Sequence, residues 1–115
     1  MNPGSFKDFV LDQLAELPGL ECRAMFGGHG LYGGKAIFGI VFKGRLYFKT
    51  SAVSRAGFTR RGMKPFRPNV RQRLNSYYEV PAGILEDRAA LAAWARRAIG
   101  LSIRRPAAKQ PPSAP

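Results

Sequence analysis

Side chains that hold metals or disulfides are almost missing from these 115 residues. One Cys, Cys22, excludes a disulfide framework and a thiolate zinc site. One His, His29, excludes the usual multi-histidine metal centres. No cofactor is expected. No apolar run approaches the ~20 residues that span a bilayer. The start, MNPGSFKDFV, has neither a basic n-region nor an apolar h-region. No signal peptide, no membrane partner and a cytoplasmic location are therefore expected. Acid is scarce as well: seven Asp and Glu stand against 19 Lys and Arg, for a formal charge of +12.

That shortage of acid is local. Residues 1–22 carry one base and four acids, whereas residues 23–78 carry twelve bases and no acid. Residues 79–100 carry three of each, and residues 101–115 carry three bases. An acid-free block of that length implies a strong positive potential somewhere on the folded surface. Its candidate partners are nucleic acid, an acidic protein face or anionic lipid. The plainer alternative is charge that only keeps the protein soluble.

Hydrophobic residues make up 45% of the chain, enough for one compact core and too many for wholesale disorder. The length fits a single domain. A first helix is predicted from Phe6 to Leu17, with Ser5 as N-cap and Pro18-Gly19 as its stop. Phe6, Phe9, Val10, Leu14 and Leu17 would share its inner face. Asp8, Asp12 and Glu16 would form an acidic stripe on another, either solvated or set against bases from elsewhere. Residues 23–50 read as an antiparallel meander. Its strands are Arg23–Tyr32, broken by glycines, then Lys35–Phe42 and Arg45–Thr50. For the last turn, burial on one face favours a three-residue loop pairing Ile40 with Leu46 and Phe38 with Phe48. A two-residue Lys43-Gly44 loop would instead pair Phe42 with Arg45.

Ser51–Arg61 reads as a short helix with Val53 and Ala56 inward and Gly62 at its cap. Lys64–Arg73 is a basic loop or irregular strand, since Pro65 and Pro68 exclude a central one. Leu74–Val80 is a further strand. A last helix, about Asp87 to Ile99, buries Leu91, Trp94, Ala95, Ala98 and Ile99, and Gly100 closes it. Residues 101–115 are expected to be a disordered basic Pro/Ala-rich tail beside a domain of residues 1–100. The class is α+β: a small single domain of order α-β-β-β-α-β-α, its antiparallel sheet flanked by helices at both ends and one inserted.

Little points to catalysis. The carboxylates fall before residue 22 or after residue 78, with no base beside a nucleophile. His29, within Gly-Gly-His-Gly, is a turn residue or a ligand-binding group. Cys22 reads as an inert reduced thiol. Gly27, Gly28 and Gly30 lack the Lys-Ser/Thr and the following helix of a phosphate loop, so they serve bulges, turns or close approach of backbones. Cations interleave with aromatics: Arg45, Tyr47 and Lys49 on one strand face, and Phe66, Tyr77 and Tyr78 near Arg67, Arg71 and Arg73. Such a mixture stacks bases and neutralises phosphates, or it is core aromatics overlaid by Arg and Lys stems.

The run RAMFGGHGLYGGKAIFGIVFKGRLYFKT, followed by RRGMKPF, SYYEVP and LAAWARRAI, resembles the N-terminal domain of the TfoX/Sxy family over about Phe6 to Ile99. The resemblance implies a compact α+β domain linked to natural competence. Full-length relatives act there as transcriptional co-activators alongside the cAMP receptor protein and carry a second, helical domain. A stand-alone N-terminal-type domain is therefore expected. The resemblance carries over no catalytic residue.

Three functions follow as expectations. The first is a non-enzymatic regulatory binding module whose basic centre contacts nucleic acid or an acidic transcription-regulatory protein. It would use Lys43, Arg45, Lys49, Arg60, Arg61, Lys64, Arg67, Arg71 and Arg73. The second is a protein-interaction or homodimer module with incidental charge. The third is a small enzyme with a His29 or Tyr47 pocket.

Overall fold

The computed structural model describes residues 3–25, 27–69 and 71–109, with side chains for 5–25, 27–69, 71 and 74–102. The elements are α1 (Pro3–Gln13), β1 (Leu20–Met25), β2 (Gly28–Gly33), β3 (Ala36–Phe42), β4 (Arg45–Lys49), α2 (Ala52–Thr59), β5 (Pro65–Asn69), β6 (Gln72–Glu79), α3 (Ala82–Leu85) and α4 (Arg88–Lys109). The strands form one antiparallel six-stranded sheet of order β1-β2-β3-β4-β6-β5. The α+β class is as expected. The expected first strand is in fact a hairpin, β1 and β2, turning at a Gly27 with φ of 82°. The basic stretch after Lys64 supplies an edge strand, β5, where its two prolines cost no interior ladder bonds.

The helices cover one face of the sheet. Phe6, Val10, Leu14 and Leu17 pack there with Leu31, Phe38, Val41, Leu46, Phe48, Phe58 and Leu91. Phe9 was expected inward but is 36% exposed. The buried stripe of α1 follows the four-residue rows of Phe6, Val10 and Leu14, and Phe9 lies off them. The helix also starts at Pro3, so Ser5 sits inside it and is no N-cap. Proline is well suited to a first turn because its missing N–H is not needed there.

In α2 the Ser51 cap is a reciprocal capping box with Ser54. Phe58 fixes the buried side, and Val53, expected inward, is 86% exposed. In α4 Leu91, Ala95 and Ala98 are buried, and Trp94 and Ile99 pack partly against them. Gly100 does not end this helix, which continues to Lys109. One reason is visible: Ser102 Oγ donates to the Ile37 carbonyl at 2.7 Å, so the helix still grips β3 beyond Gly100.

The second face has its own core of Ile40, Phe42, Tyr47, Phe66 and Tyr77, with Ile37 packed against it. This corrects the expected hairpin register. Phe42 pairs with Arg45, Val41 with Leu46 and Ile40 with Tyr47, leaving a two-residue Lys43-Gly44 turn. Both turn residues have positive φ, 50° and 75°. The one-face burial argument failed because Ile40 and Phe42 find a separate partner, Phe66. A register shift between Leu31 and Tyr32 lets Phe38 join the helix-side core while Ile37 faces the other way.

Phe66 reaches this face from the sheet's far edge. The pairing of β5 on β6 slips between Pro65↔Tyr78 and Phe66↔Leu74, so that end of the sheet curls back. Its ring is fully buried, 5.3 Å from Phe42 in an edge-on arrangement and 4.8 Å from Tyr47. Glycine matters most at Gly28, where a Cβ would collide with the Val41 carbonyl oxygen.

Phe66→Ala should lower unfolding stability by about 3–5 kcal/mol, read by urea denaturation. Lys43→Asn, which suits the left-handed turn position, should raise it by about 0.5–1 kcal/mol.

Candidate nucleic-acid interface

The expected cations divide by position in the fold. Lys43 heads the β3–β4 turn, its Nζ 5.3 Å over the Phe42 ring. Arg45 opens β4, and its Nη1 donates to Glu79 Oε2 at 2.8 Å. Lys64 lies directly beyond, its carbonyl accepting the Glu79 backbone N–H at 3.0 Å. Arg45, Tyr47, Lys64, Pro65 and Glu79 line one cleft of about 390 Å³. Arg67 is exposed on β5, next in sequence to the buried Phe66. Lys43, Arg45, Lys64 and Arg67 therefore rim the Phe42–Tyr47–Phe66 cluster.

The other candidates lie further off. Lys49 is at the opposite end of β4, its Nζ 5.2 Å over Tyr77. Arg71 is exposed in the β5–β6 turn, where its backbone N–H donates to Asn69 Oδ1 at 2.8 Å. Arg60 caps α2 and is exposed. Arg61 turns toward the helices: its Nη1 donates to the Gly57 carbonyl at 3.0 Å and its guanidinium lies 5.4 Å from the Trp94 ring centre. Arg73 is in β6, and its side chain falls outside the described residues.

The aromatics are structural. Phe66 and Tyr77 are buried, and Tyr78 is on the helix side with its ring 6.2 Å from Phe58. These rings offer no open platform for bases, so the stacking alternative gives way to core aromatics overlaid by cationic stems. Sequence reasoning also missed Glu79, whose pairing with Arg45 depends on the β4–β6 register that sets Tyr47 beside it. Arg55 is likewise structural, with its Nε donating to Thr50 Oγ1 at 3.2 Å.

Electrostatically the rim is one-sided. Among the described residues, no carboxylate comes within ion-pair distance of Lys43, Arg60, Lys64, Arg67 or Arg71. Glu79 is already bonded to Arg45, and that hydrogen bond, then its charge, holds the guanidinium above its ordinary basicity. Burial, then the Glu79 charge, pushes the Tyr47 phenol above its ordinary pKa. The acidic stripe of α1 is satisfied partly in cis, since Arg88 Nη2 lies 3.0 Å from Asp12 Oδ2.

The family described as TfoX N-terminal domain matches residues 12–101. The chain belongs to the TfoX N-terminal domain family. The match spans every strand and every candidate cation of the domain. No curated protein matches the chain. This family is a non-catalytic domain type.

His29 lies within β2, half-buried, and not in a turn. It pairs with Val41 of the helix-side core, whereas Tyr47 belongs to the second face, so the two share no pocket. Burial raises the Cys22 thiol, which disfavours the reactive thiolate. Among the described residues no group of three or more His, Cys, Asp or Glu is placed to hold a metal. Among the described residues no helix is long and apolar enough to cross a membrane.

The Tyr47 shift has a sign that can be read. Its folded-state pKa lies above the ordinary value near 10. The stability its neutral form contributes is complete below pH 10 and is lost as pH climbs through the folded value. Absorbance titration at 295 nm should show a late-ionising tyrosine that vanishes in Tyr47→Phe.

Proposed function

We propose that this TfoX N-terminal domain is a regulatory binding module that grips the phosphate backbone of nucleic acid through the cationic rim. The observation that carries this reading is the one-sidedness of the rim. Its Lys43, Lys64 and Arg67, and Arg71 beyond it, are exposed with no carboxylate in ion-pair distance among the described residues. Their neutralisation has to come from solvent ions or from a bound polyanion, and displaced counterions favour binding.

The burial of the aromatics sets the mode. With Phe42, Tyr47, Phe66 and Tyr77 packed into one buried cluster, base stacking contributes little and phosphate contact dominates. Binding should therefore be weakly sequence-selective and strongly salt-dependent. A regulatory setting in competence and transcription is what the family resemblance supports. Sequence preference would come from a partner protein.

Fluorescence anisotropy on a labelled duplex tests this. If six cations touch phosphates, log affinity should fall against log salt with a slope of about −5. Lys64→Glu combined with Arg67→Glu should weaken binding at least ~10-fold, while Arg61→Ala, on the helix side, should change it little. No binding at ~50 mM salt, or a flat salt dependence, would remove nucleic acid as the partner.

A further inference from the structure

The sheet has two outer edges, and they differ. β5 carries Pro65 and Pro68, which lack N–H groups, together with the exposed Arg67. Those are the usual protections of a sheet edge against another strand. β1, Leu20-Glu21-Cys22-Arg23-Ala24-Met25, has no proline and no lysine. Among the described residues nothing hydrogen-bonds its outer side.

The register shows which groups that side presents. The Gly34 N–H donates to the Gly19 carbonyl at 3.2 Å, which makes Gly19↔Gly34 a hydrogen-bonded pair of the β1–β2 ladder. Such pairs alternate along an antiparallel ladder. Glu21, Arg23 and Met25 therefore bond inward to Tyr32, Gly30 and Gly28. Leu20, Cys22 and Ala24 point their N–H and C=O groups outward, toward an absent neighbour.

We infer that this neighbour is a second copy of the chain, with β1 pairing antiparallel to its symmetry mate about Cys22. A two-fold at Cys22 makes Cys22↔Cys22 and Leu20↔Ala24 the hydrogen-bonded pairs, in phase with the outward groups. It also sets Glu21 of each copy opposite Arg23 of the other, at the position where cross-strand side chains come closest. The neighbouring symmetric registers are worse. Centring on Glu21 opposes two carboxylates, and centring on Arg23 opposes two guanidinium groups. Glu21 and Arg23 lie on the helix-free face, 55% and 63% exposed as side chains, and already attract one another at 2.9 Å.

Charge also selects this edge over the other. Each copy carries +12, so most approaches are repulsive. Residues 1–22, which form α1 and enter β1, hold four acids against one base and so make a net-acidic stretch at this end of the sheet. α1 and β1 share one core, with Leu20 and Cys22 packed against the cluster that holds Phe6 and Val10. Pairing through β1 joins two six-stranded sheets edge to edge and leaves the cationic rims at opposite ends.

Sedimentation equilibrium of the full chain, with circular dichroism to confirm folding, tests the pairing. The wild type should show a concentration-dependent dimer. Glu21→Arg and Arg23→Glu should each weaken it about tenfold or more, because each opposes like charges twice across the two-fold. The double swap, Glu21→Arg with Arg23→Glu, recreates the complementary pairs and should restore the dimer. Ala24→Pro removes an outward N–H that serves no ladder bond within the chain, so it should leave a folded monomer. A wild type that stays monomeric at ~0.5 mM, or a double swap no better than the single variants, overturns the inference.

Discussion

Phe66 is the contact on which the second half of the fold depends. Its ring is fully buried against Phe42 and Tyr47, although its strand sits at the sheet edge, with β6 between it and β4. The contact exists only if β5 and the start of β6 curl over the sheet. That curl covers the apolar residues Ile40 and Phe42, which helices on the opposite face could never reach. It also settles where charge can go. With aromatics filling the interior of the second face, Lys43, Arg45, Lys64 and Arg67 are left around its margin, where water can reach their heads. One packing event thus yields both a two-sided core and a cationic rim.

Local patterns in the sequence were readable where local physics decides. The four-residue rows of α1, the Leu91, Ala95 and Ala98 stripe of α4 and the glycine turns all follow from short-range rules, and they suffice for the α+β class. Readings that depended on distant partners went astray. Burial on a single face predicts the wrong β3–β4 register, because the second face has a partner more than twenty residues downstream. Val53 looked inward by composition, yet Phe58 owns the buried side of α2. Gly100 looked like a stop, yet Ser102 still has a carbonyl on β3 to hold. The candidate site followed the same division. Residue types and their acid-free setting were legible, but which cations share a rim depends on the curl of β5. The end of α2 holds Arg61 on the Trp94 side, whereas Lys64, at the entry to β5, lines the cleft with Arg45.

The distribution of charge gives the molecule a polarity. At one end the sheet terminates in the proline-bearing, basic β5, and at the other in β1 under the acid-bearing α1. Glu79 is the exception within the basic half, and its carboxylate is held by Arg45 and set beside Tyr47. It orients one guanidinium at the cleft while leaving its neighbours free of carboxylates. Membership of the TfoX N-terminal domain family, a non-catalytic domain type, fits a scaffold whose charge is arranged over its surface.

If the curl of β5 gathers the cations into one rim that binds a polyanion, a short duplex should perturb that rim and little else. Chemical-shift mapping of the isotopically labelled protein during titration with a short duplex tests it most directly. The largest backbone perturbations should fall at Lys43–Arg45, Lys64–Arg67 and Arg71, with α1, β1 and α4 nearly still. Perturbations centred on α1 or α4, or spread evenly over the surface, would contradict it.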